Sequence, residues 1–267
     1  MSNVKLNSIL EKIIEKKFQK VNLKKQILPL KKILDEIEKN DYKNRNFKEA
    51  VKRKPDRLSL IAECKKATPS SGILRENYDI EEIVEEYYSC KYVDAISVLT
   101  EENYFLGDIS HLKKARIKVS LPILRKDFII DEYQVYESVY HQADAILLIA
   151  TILDNAQIRS FYNIAKNFNL EVLIEVHNKE DIDKVLDLGL EIFGINNRNL
   201  QTFEVDITTT EKLLKYIPKG SIIISESGIS SSKEMKYLYD LGVDGVLIGS
   251  YFMKSLNIKE AVLSLIS

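Results

Sequence analysis

Eight short apolar segments alternate with amphipathic helical segments along this chain, and the alternation constrains the fold more than any other feature. Each apolar segment is five or six residues long, which suits a strand better than a buried helix. Parallel strands need a return crossover of about a dozen residues or more, and the helical segments supply it. The pattern therefore predicts eight parallel strands. They cover residues 58–63, 95–99, 122–126, 145–149, 171–175, 191–196, 221–225 and 245–249.

An acidic residue stands at the threshold of every second strand. These residues are Asp94, Asp144, Glu191 and Asp244, spaced 50, 47 and 53 residues apart. A closed eight-stranded barrel builds its layers from alternate strands, so it gives the repeat a physical reason that an open doubly wound sheet does not. We therefore predict an α/β fold, a (β/α)8 TIM barrel. Helix start signals agree with it and stand at Asp79, Asp131, Asp154, Asn178 and Ser231.

The first 54 residues differ from the rest, because their apolar residues recur at helical spacing and no strand signal precedes Leu58. Residues 1–54 are predicted to form an N-terminal helical extension packed on the barrel. Residues 55–267 form the catalytic barrel, and the whole makes one domain. Lysines between positions 16 and 25 could attract a polyanion, but the preceding interleaved glutamates favour a solvated helix face.

Composition excludes several protein classes. With 45% apolar and 30% charged residues, and no apolar run near 20 residues, the chain matches neither a disordered nor a membrane protein. Its net charge of −1 lacks the basic excess of a nucleic-acid binder. The charged N-terminus has no secretion signal, and Cys64 and Cys90 form no CxxC pair, so we expect the reducing cytoplasm. A monomer is a separate expectation. The three scattered histidines are interpreted as bystanders, with no metal site.

Polar residues collect at the ends of the first, third, fifth, sixth, seventh and eighth strands, and reacting residues of such barrels lie at these ends. Glu63 and Lys65 follow the first strand and face the same side, whereas Cys64 faces the other. Lys126 ends the third strand and Glu175 the fifth. Lysines and carboxylates that converge in one barrel mouth are hard to justify by stability alone. They favour an active site over a structural ion pair.

Two glycine loops follow the last two strands, namely Ser227-Gly228 and Gly249-Ser250. In this fold these loops form a recurring phosphate site, together with a short helix, here predicted over residues 250–254. The loop at residues 68–72 has the composition of a surface turn. Phe105 and Phe128 could stack on a planar substrate. Further polar candidates at strand ends are Asn196, Arg198 and Glu226.

Six segments in this order resemble the indole-3-glycerol phosphate synthase family over essentially the whole chain. They read IAECKKATPSSG, ILRKDFIID, LIEV, GINNRNL, ISESGI and LIGSYFM. The resemblance implies a barrel that converts 1-(2-carboxyphenylamino)-1-deoxyribulose 5-phosphate to indole-3-glycerol phosphate, carbon dioxide and water, with no metal or organic cofactor. Thr68-Pro69-Ser70 replaces the family's Ser-Pro-Ser and keeps the first hydroxyl.

The resemblance also implies roles for the candidates. Lys126 is the general acid for the ketone oxygen, and Lys65 assists it or serves the later dehydration; the sequence leaves this division open. Glu175 is the base or proton shuttle, and Glu63 orients the lysines. Asn196 belongs to the catalytic residues and forms hydrogen bonds with substrate hydroxyls. The substrate-binding residues are Thr68, Phe105, Phe128, Arg198 and Glu226, and the phosphate-binding residues are Ser227, Gly228, Gly249 and Ser250.

Three alternatives remain at this point. A Schiff-base aldolase would use Lys126 as its nucleophile. Another phosphosugar enzyme on the same barrel, such as phosphoribosylanthranilate isomerase, would need a Cys/Asp pair, but Cys64 is predicted to face away from the mouth. A non-catalytic phosphosugar-binding barrel would have lost acid–base residues, and none is missing from this sequence.

Overall fold

The computed structural model describes residues 9–39, 43–200 and 202–266. Eight parallel strands close into a barrel, because the first strand pairs with the second on one side and with the eighth on the other. The predicted (β/α)8 barrel is confirmed. The strands are β1 (Ser59–Cys64), β2 (Ala95–Leu99), β3 (Ile123–Lys126), β4 (Ala145–Ile149), β5 (Glu171–Val176), β6 (Ile192–Asn196), β7 (Ile222–Glu226) and β8 (Gly245–Ile248).

Helices separate the strands and begin where the sequence predicts. Each predicted N-cap side chain accepts a hydrogen bond from a backbone N–H of the first helical turn. The described helices are α1 (Ile9–Ile27), α2 (Leu30–Lys39), α3 (Phe47–Ala50), α4 (Ile80–Ser89), α5 (Ser110–Lys118), α6 (Glu132–Tyr140), α7 (Asn155–Asn167), α8 (Lys179–Val185), α9 (Thr208–Leu214), α10 (Ser232–Leu241), α11 (Ser250–Lys254) and α12 (Ile258–Ile266). The predicted short helix over residues 250–254 is α11.

The barrel interior is a packed apolar core, whose buried side chains include Ile61, Leu124, Leu173 and Ile224. A larger apolar layer separates the strands from the surrounding helices. Phe47 of α3 and the adjacent Val51 are fully buried against the interior cluster. Residues before β1 therefore contribute to the core of the barrel.

Three of the four threshold acids bind the backbone of a neighbouring strand. Each uses Oδ2 to accept a hydrogen bond of 2.8 Å: Asp94 from the N–H of Leu60, Asp144 from that of Ile123, and Asp244 from that of Ile223. Glu191 instead forms ion pairs with Lys48 and Lys166. The repeat thus stabilises the N-terminal end of the barrel, opposite the strand ends that carry the candidate site.

The lysine-rich stretch of α1 is only partly a solvated face, and the expectation is wrong for Lys17. This residue is 2% exposed, and its Nζ lies 2.7 Å from Asp127 Oδ1 and 3.0 Å from Glu102 Oε2. Burial lowers the pKa of Lys17, but the carboxylates of Asp127 and Glu102 outweigh it and hold the pKa above its ordinary value. Buried charges therefore bind α1 to the end of β3.

Parts of the predicted extension, residues 1–8 and 40–42, lie outside the described residues. Within the described ranges, none of the helices combines the length and the apolar character needed to cross a membrane. Cys64 and Cys90 are both buried and form no disulfide.

Candidate active site

A single cavity at the C-terminal end of the barrel is lined by all fourteen residues that the sequence analysis selected. They are Glu63, Lys65, Thr68, Phe105, Lys126, Phe128, Glu175, Asn196, Arg198, Glu226, Ser227, Gly228, Gly249 and Ser250. They come from the ends of seven strands and the loops that follow, so the closed barrel brings together positions up to 187 residues apart.

Lys126 lies between two buried carboxylates at the centre of this cavity. Its Nζ donates to Glu175 Oε2 at 2.8 Å and to Glu226 Oε2 at 2.7 Å. Glu175 and Glu226 are 2% and 1% exposed. Two buried carboxyl groups thus share one ammonium.

The three groups shift one another's protonation. Burial lowers the pKa of Lys126, but the carboxylates of Glu175 and Glu226 outweigh it and hold the pKa above its ordinary value. Burial raises the pKa of Glu175, and the Lys126 ammonium with His177 reverses this and holds it below its ordinary value. For Glu226, burial and the nearby Glu175 outweigh the ammonium and raise the pKa to about 7. The site therefore holds one firmly protonated cation and two carboxylates of unequal basicity.

A second lysine–carboxylate pair lies at the end of β1. Lys65 Nζ is 2.5 Å from Glu63 Oε2, and Glu63 is buried. The carboxylate fits because residue 249 is glycine: a Cβ there would lie 2.2 Å from Glu63 Oε2. Cys64 packs in the apolar layer outside the barrel, as strand alternation predicts, and burial raises the pKa of its thiol.

The two loops predicted to bind phosphate lie side by side after β7 and β8. Ser227 and Gly228 both have left-handed backbone, with φ of 67° and 81°. Asn197 holds this turn, because its Nδ2 donates to the Ser227 carbonyl and to Ser225 Oγ, each at 3.0 Å. Asn197 is not among the predicted site residues. In the sequence, only its position directly after Asn196 indicated it.

One wall of the cavity is apolar. The rings of Phe105 and Phe128 lie 6.2 Å apart and are tilted by 42°, so a flat group could contact both. Ile9, Leu10 and Ile13 of α1 add to the lining. The sequence indicated their helical spacing but did not indicate that this helix reaches the barrel mouth. Residues 68–72, expected to form a surface turn, fold into a small hairpin with strands Ala67–Thr68 and Gly72–Ile73, and Thr68 lines the cavity.

His177, interpreted from the sequence as a bystander, contacts a candidate site residue. Its Nε2 lies 3.3 Å from Glu175 Oε1, and its Nδ1 lies 3.7 Å from Asp181 Oδ2. Burial lowers the pKa of His177, but Asp181 and Glu175 outweigh it and raise the pKa to about 9. The sequence signal was its position two residues after Glu175, which places both side chains on one side of the strand.

Arg198 and Asn196 are linked at the end of β6. The Asn196 Oδ1 accepts from the Arg198 backbone N–H at 3.0 Å, and the Arg198 guanidinium donates to the Phe203 carbonyl at 3.0 Å. Burial lowers the pKa of Arg198, with an opposing contribution from Glu63. Among the described residues, no cluster of three or more His, Cys, Asp or Glu side chains is arranged to hold a metal ion.

Comparisons with known proteins show the family of the chain. A family model described as indole-3-glycerol phosphate synthase matches residues 10–265. An indole-3-glycerol phosphate synthase from Thermoanaerobacter pseudethanolicus is 46% identical over 249 residues, which cover 93% of this chain and 94% of the relative. One from Nautilia profundicola is 43% identical over 258 residues, covering 96% and 98%.

A solved structure supports the fold alone. The 3-hexulose-6-phosphate synthase of Salmonella typhimurium superposes with a TM-score of 0.63 at 19% identity, covering 78% of this chain and 97% of that one. At this identity the likeness extends to the barrel and not to the reaction.

Proposed function

We propose how this cavity carries out the reaction of the indole-3-glycerol phosphate synthase family, to which the chain belongs. The activity is that of a carboxy-lyase in tryptophan biosynthesis. The substrate is 1-(2-carboxyphenylamino)-1-deoxyribulose 5-phosphate, and the products are indole-3-glycerol phosphate, carbon dioxide and water. The observation that carries the assignment of roles is the Lys126 ammonium held between Glu175 and Glu226.

Lys126 is the general acid of ring closure. The aromatic carbon that bears the carboxylate attacks the ketone carbon, and the carbonyl electron pair moves to the oxygen. An alkoxide is strongly basic, so an ammonium whose pKa is raised keeps its proton until that charge develops and then transfers it. Glu226, expected from the sequence to bind substrate, holds Lys126 in this role.

Two losses complete the reaction. The carboxylate leaves as carbon dioxide, and its electron pair restores the aromatic ring. The new hydroxyl then leaves as water with a second proton, while the carbon next to the nitrogen loses a proton to Glu175. We assign the second acid step to Lys65, since its pairing with Glu63 keeps an ammonium near the end of β1. One proton per turnover is taken up from solvent.

The remaining cavity residues bind the substrate. The loops at Ser227-Gly228 and Gly249-Ser250 receive the phosphate, with backbone N–H groups and both hydroxyls as donors. Phe105 and Phe128 contact the aromatic ring. The polar residues that contact the rest of the molecule are Thr68, Asn196 and Arg198.

The protonation of Lys126 argues against the Schiff-base aldolase. A nucleophilic lysine must lose its proton, and two carboxylates within 2.8 Å oppose that loss. Borohydride with a ketose phosphate should therefore trap no adduct. The isomerase alternative is opposed by Cys64, which is buried outside the cavity lining.

Fluorescence tests the proposed function directly. The chain contains no tryptophan, so indole emission that appears on adding the anilino-deoxyribulose phosphate comes from product. We expect emission to rise with time in proportion to enzyme. A carefully folded sample that consumes no substrate and produces no indole would refute the proposal.

We also propose that residues 1–54 and 55–267 act as one domain and that the protein is a cytoplasmic monomer without nucleic-acid or membrane partners. Support comes from α1, which contributes to the cavity wall within one chain, and from the near-zero net charge and two buried, free cysteines. Light scattering that gives a mass other than that of one chain would contradict the monomer.

A further inference from the structure

His177 touches the proposed base without lining the cavity. It follows the end of β5, and its side chain is 8% exposed. Within the described part of the chain, the residues that line the cavity include Glu175 but not His177. Its effect on the reaction must therefore pass through Glu175.

Each ring nitrogen of His177 faces a carboxylate. Nε2 lies 3.3 Å from Glu175 Oε1 on β5, and Nδ1 lies 3.7 Å from Asp181 Oδ2 on α8. Thr151, in the loop after β4, places its Oγ1 3.1 Å from Nδ1 and donates to Asp181 Oδ2 at 2.6 Å. Two carboxylates around one imidazole favour its protonated form.

The two oxygens of Glu175 thus have different cationic partners. Oε1 faces His177 Nε2 at 3.3 Å in an ion-pair contact that lacks hydrogen-bond alignment, and Oε2 accepts from Lys126 at 2.8 Å. A positive charge beside each oxygen favours one rotation of the carboxylate, and a positioned base requires a defined rotation. Asp181 also accepts from the His177 backbone N–H at 3.0 Å, so the same carboxylate contacts the main chain and the ring of this residue.

We propose that His177 is a positioning residue for Glu175, holding Oε1 while Lys126 holds Oε2. The inference rests on the proposed function, in which Lys126 gives up a proton before Glu175 accepts one. After the first transfer Lys126 is neutral, and Glu175 has lost one of its two cations. His177 then keeps the carboxylate in place, and Asp181 balances the charge of the imidazolium.

Kinetics of His177→Gln test this role, since glutamine retains an N–H donor but no positive charge. We expect kcat to fall about tenfold, the lower end of the range for an orienting partner one contact from the reacting group, with KM and Tm unchanged. In a Glu175→Gln background the same substitution should not lower kcat further, because the carboxylate through which His177 acts is already absent. His111→Gln, at a histidine that contacts Tyr78 outside the cavity, is the matched control and should leave kcat unchanged.

Histidine-ring NMR of the free protein tests the contact without any substrate. The His177 ring should titrate near pH 9 in the unsubstituted chain, and Glu175→Gln should lower that pKa, since a carboxylate partner is removed. This measurement remains decisive if His177→Gln does not fold.

Three results would overturn the inference: a His177 ring that titrates near its ordinary value of about 6.5, a kcat of His177→Gln within twofold of the unsubstituted chain, or an equal loss of kcat in both backgrounds. If the unsubstituted enzyme forms no indole product, the proposed function fails instead, and the titration still decides whether His177 and Glu175 interact.

Discussion

Gly194 on β6 leaves the space that the Glu226 carboxylate on β7 occupies. A Cβ at position 194 would lie 2.2 Å from Glu226 Oε1, far inside a normal carbon–oxygen contact. Through its other oxygen the same carboxylate accepts from Lys126. The missing side chain at position 194 therefore permits the ion pair that positions the proposed general acid.

Gly194→Ala should displace the Glu226 carboxylate and weaken its contact with Lys126. We expect kcat to fall at least about tenfold, on the scale of a misplaced catalytic group. Glu226→Gln provides the matched background: Gly194→Ala should cost less there than alone, because part of the interaction is already gone. Purely multiplicative losses in steady-state kinetics would contradict this link.

Glu226 should give the reaction a pH dependence near neutrality. Its pKa is raised to about 7, so the carboxyl gains a proton as the pH falls through 7 and then no longer supports the Lys126 ammonium. The kcat/KM of the unsubstituted enzyme should decline on the acidic side of that value. Glu226→Gln should be slower and should lack this decline; a profile that keeps it would assign it to another group.

A bulky substitution at Gly249 would not test the phosphate loops alone. A side chain there would first meet Glu63, so Gly249→Val would disturb the acid–base pair rather than the phosphate path alone. Ser250→Asp instead places a negative charge in the loop, and it should raise the KM and the inhibition constant of inorganic phosphate about tenfold or more. Ser221→Asp, before the other end of β7, is the control. Equal phosphate inhibition in both variants would refute the site.

Local patterns predicted the strands, the helix starts and the strand-end candidates, because each depends on short-range chemistry. Strand periodicity alone places Glu63 and Lys65 together and Cys64 apart. The contacts that the sequence did not reveal join distant positions. Lys17 meets Asp127 across 110 residues, and Gly194 accommodates Glu226 from the next strand. Such pairs depend on how helices and strands pack, which no local signal encodes.

Lys17→Met tests whether the buried ion pair holds α1 to the barrel. Loss of the ammonium removes one of two cations from each carboxylate, leaving Arg125 beside Asp127 and Lys24 beside Glu102. The free energy of unfolding should therefore fall by about 2 kcal/mol, the scale of a lost charged hydrogen bond. Lys12→Met, at an exposed position of the same helix, should change it by less than about 0.5 kcal/mol. Denaturant unfolding that gives the two variants equal stability would show that this contact contributes little.

The turnover of Lys126 variants tests the central claim most directly. Indole formation by Lys126→Ala should be slower by at least about 100-fold, the low end of the contribution of a general acid. Lys126→Arg should not restore it, because a guanidinium keeps its charge but does not release a proton near neutral pH. Turnover of Lys126→Ala within tenfold of the unsubstituted enzyme would contradict the assignment of Lys126 as the acid that closes the ring.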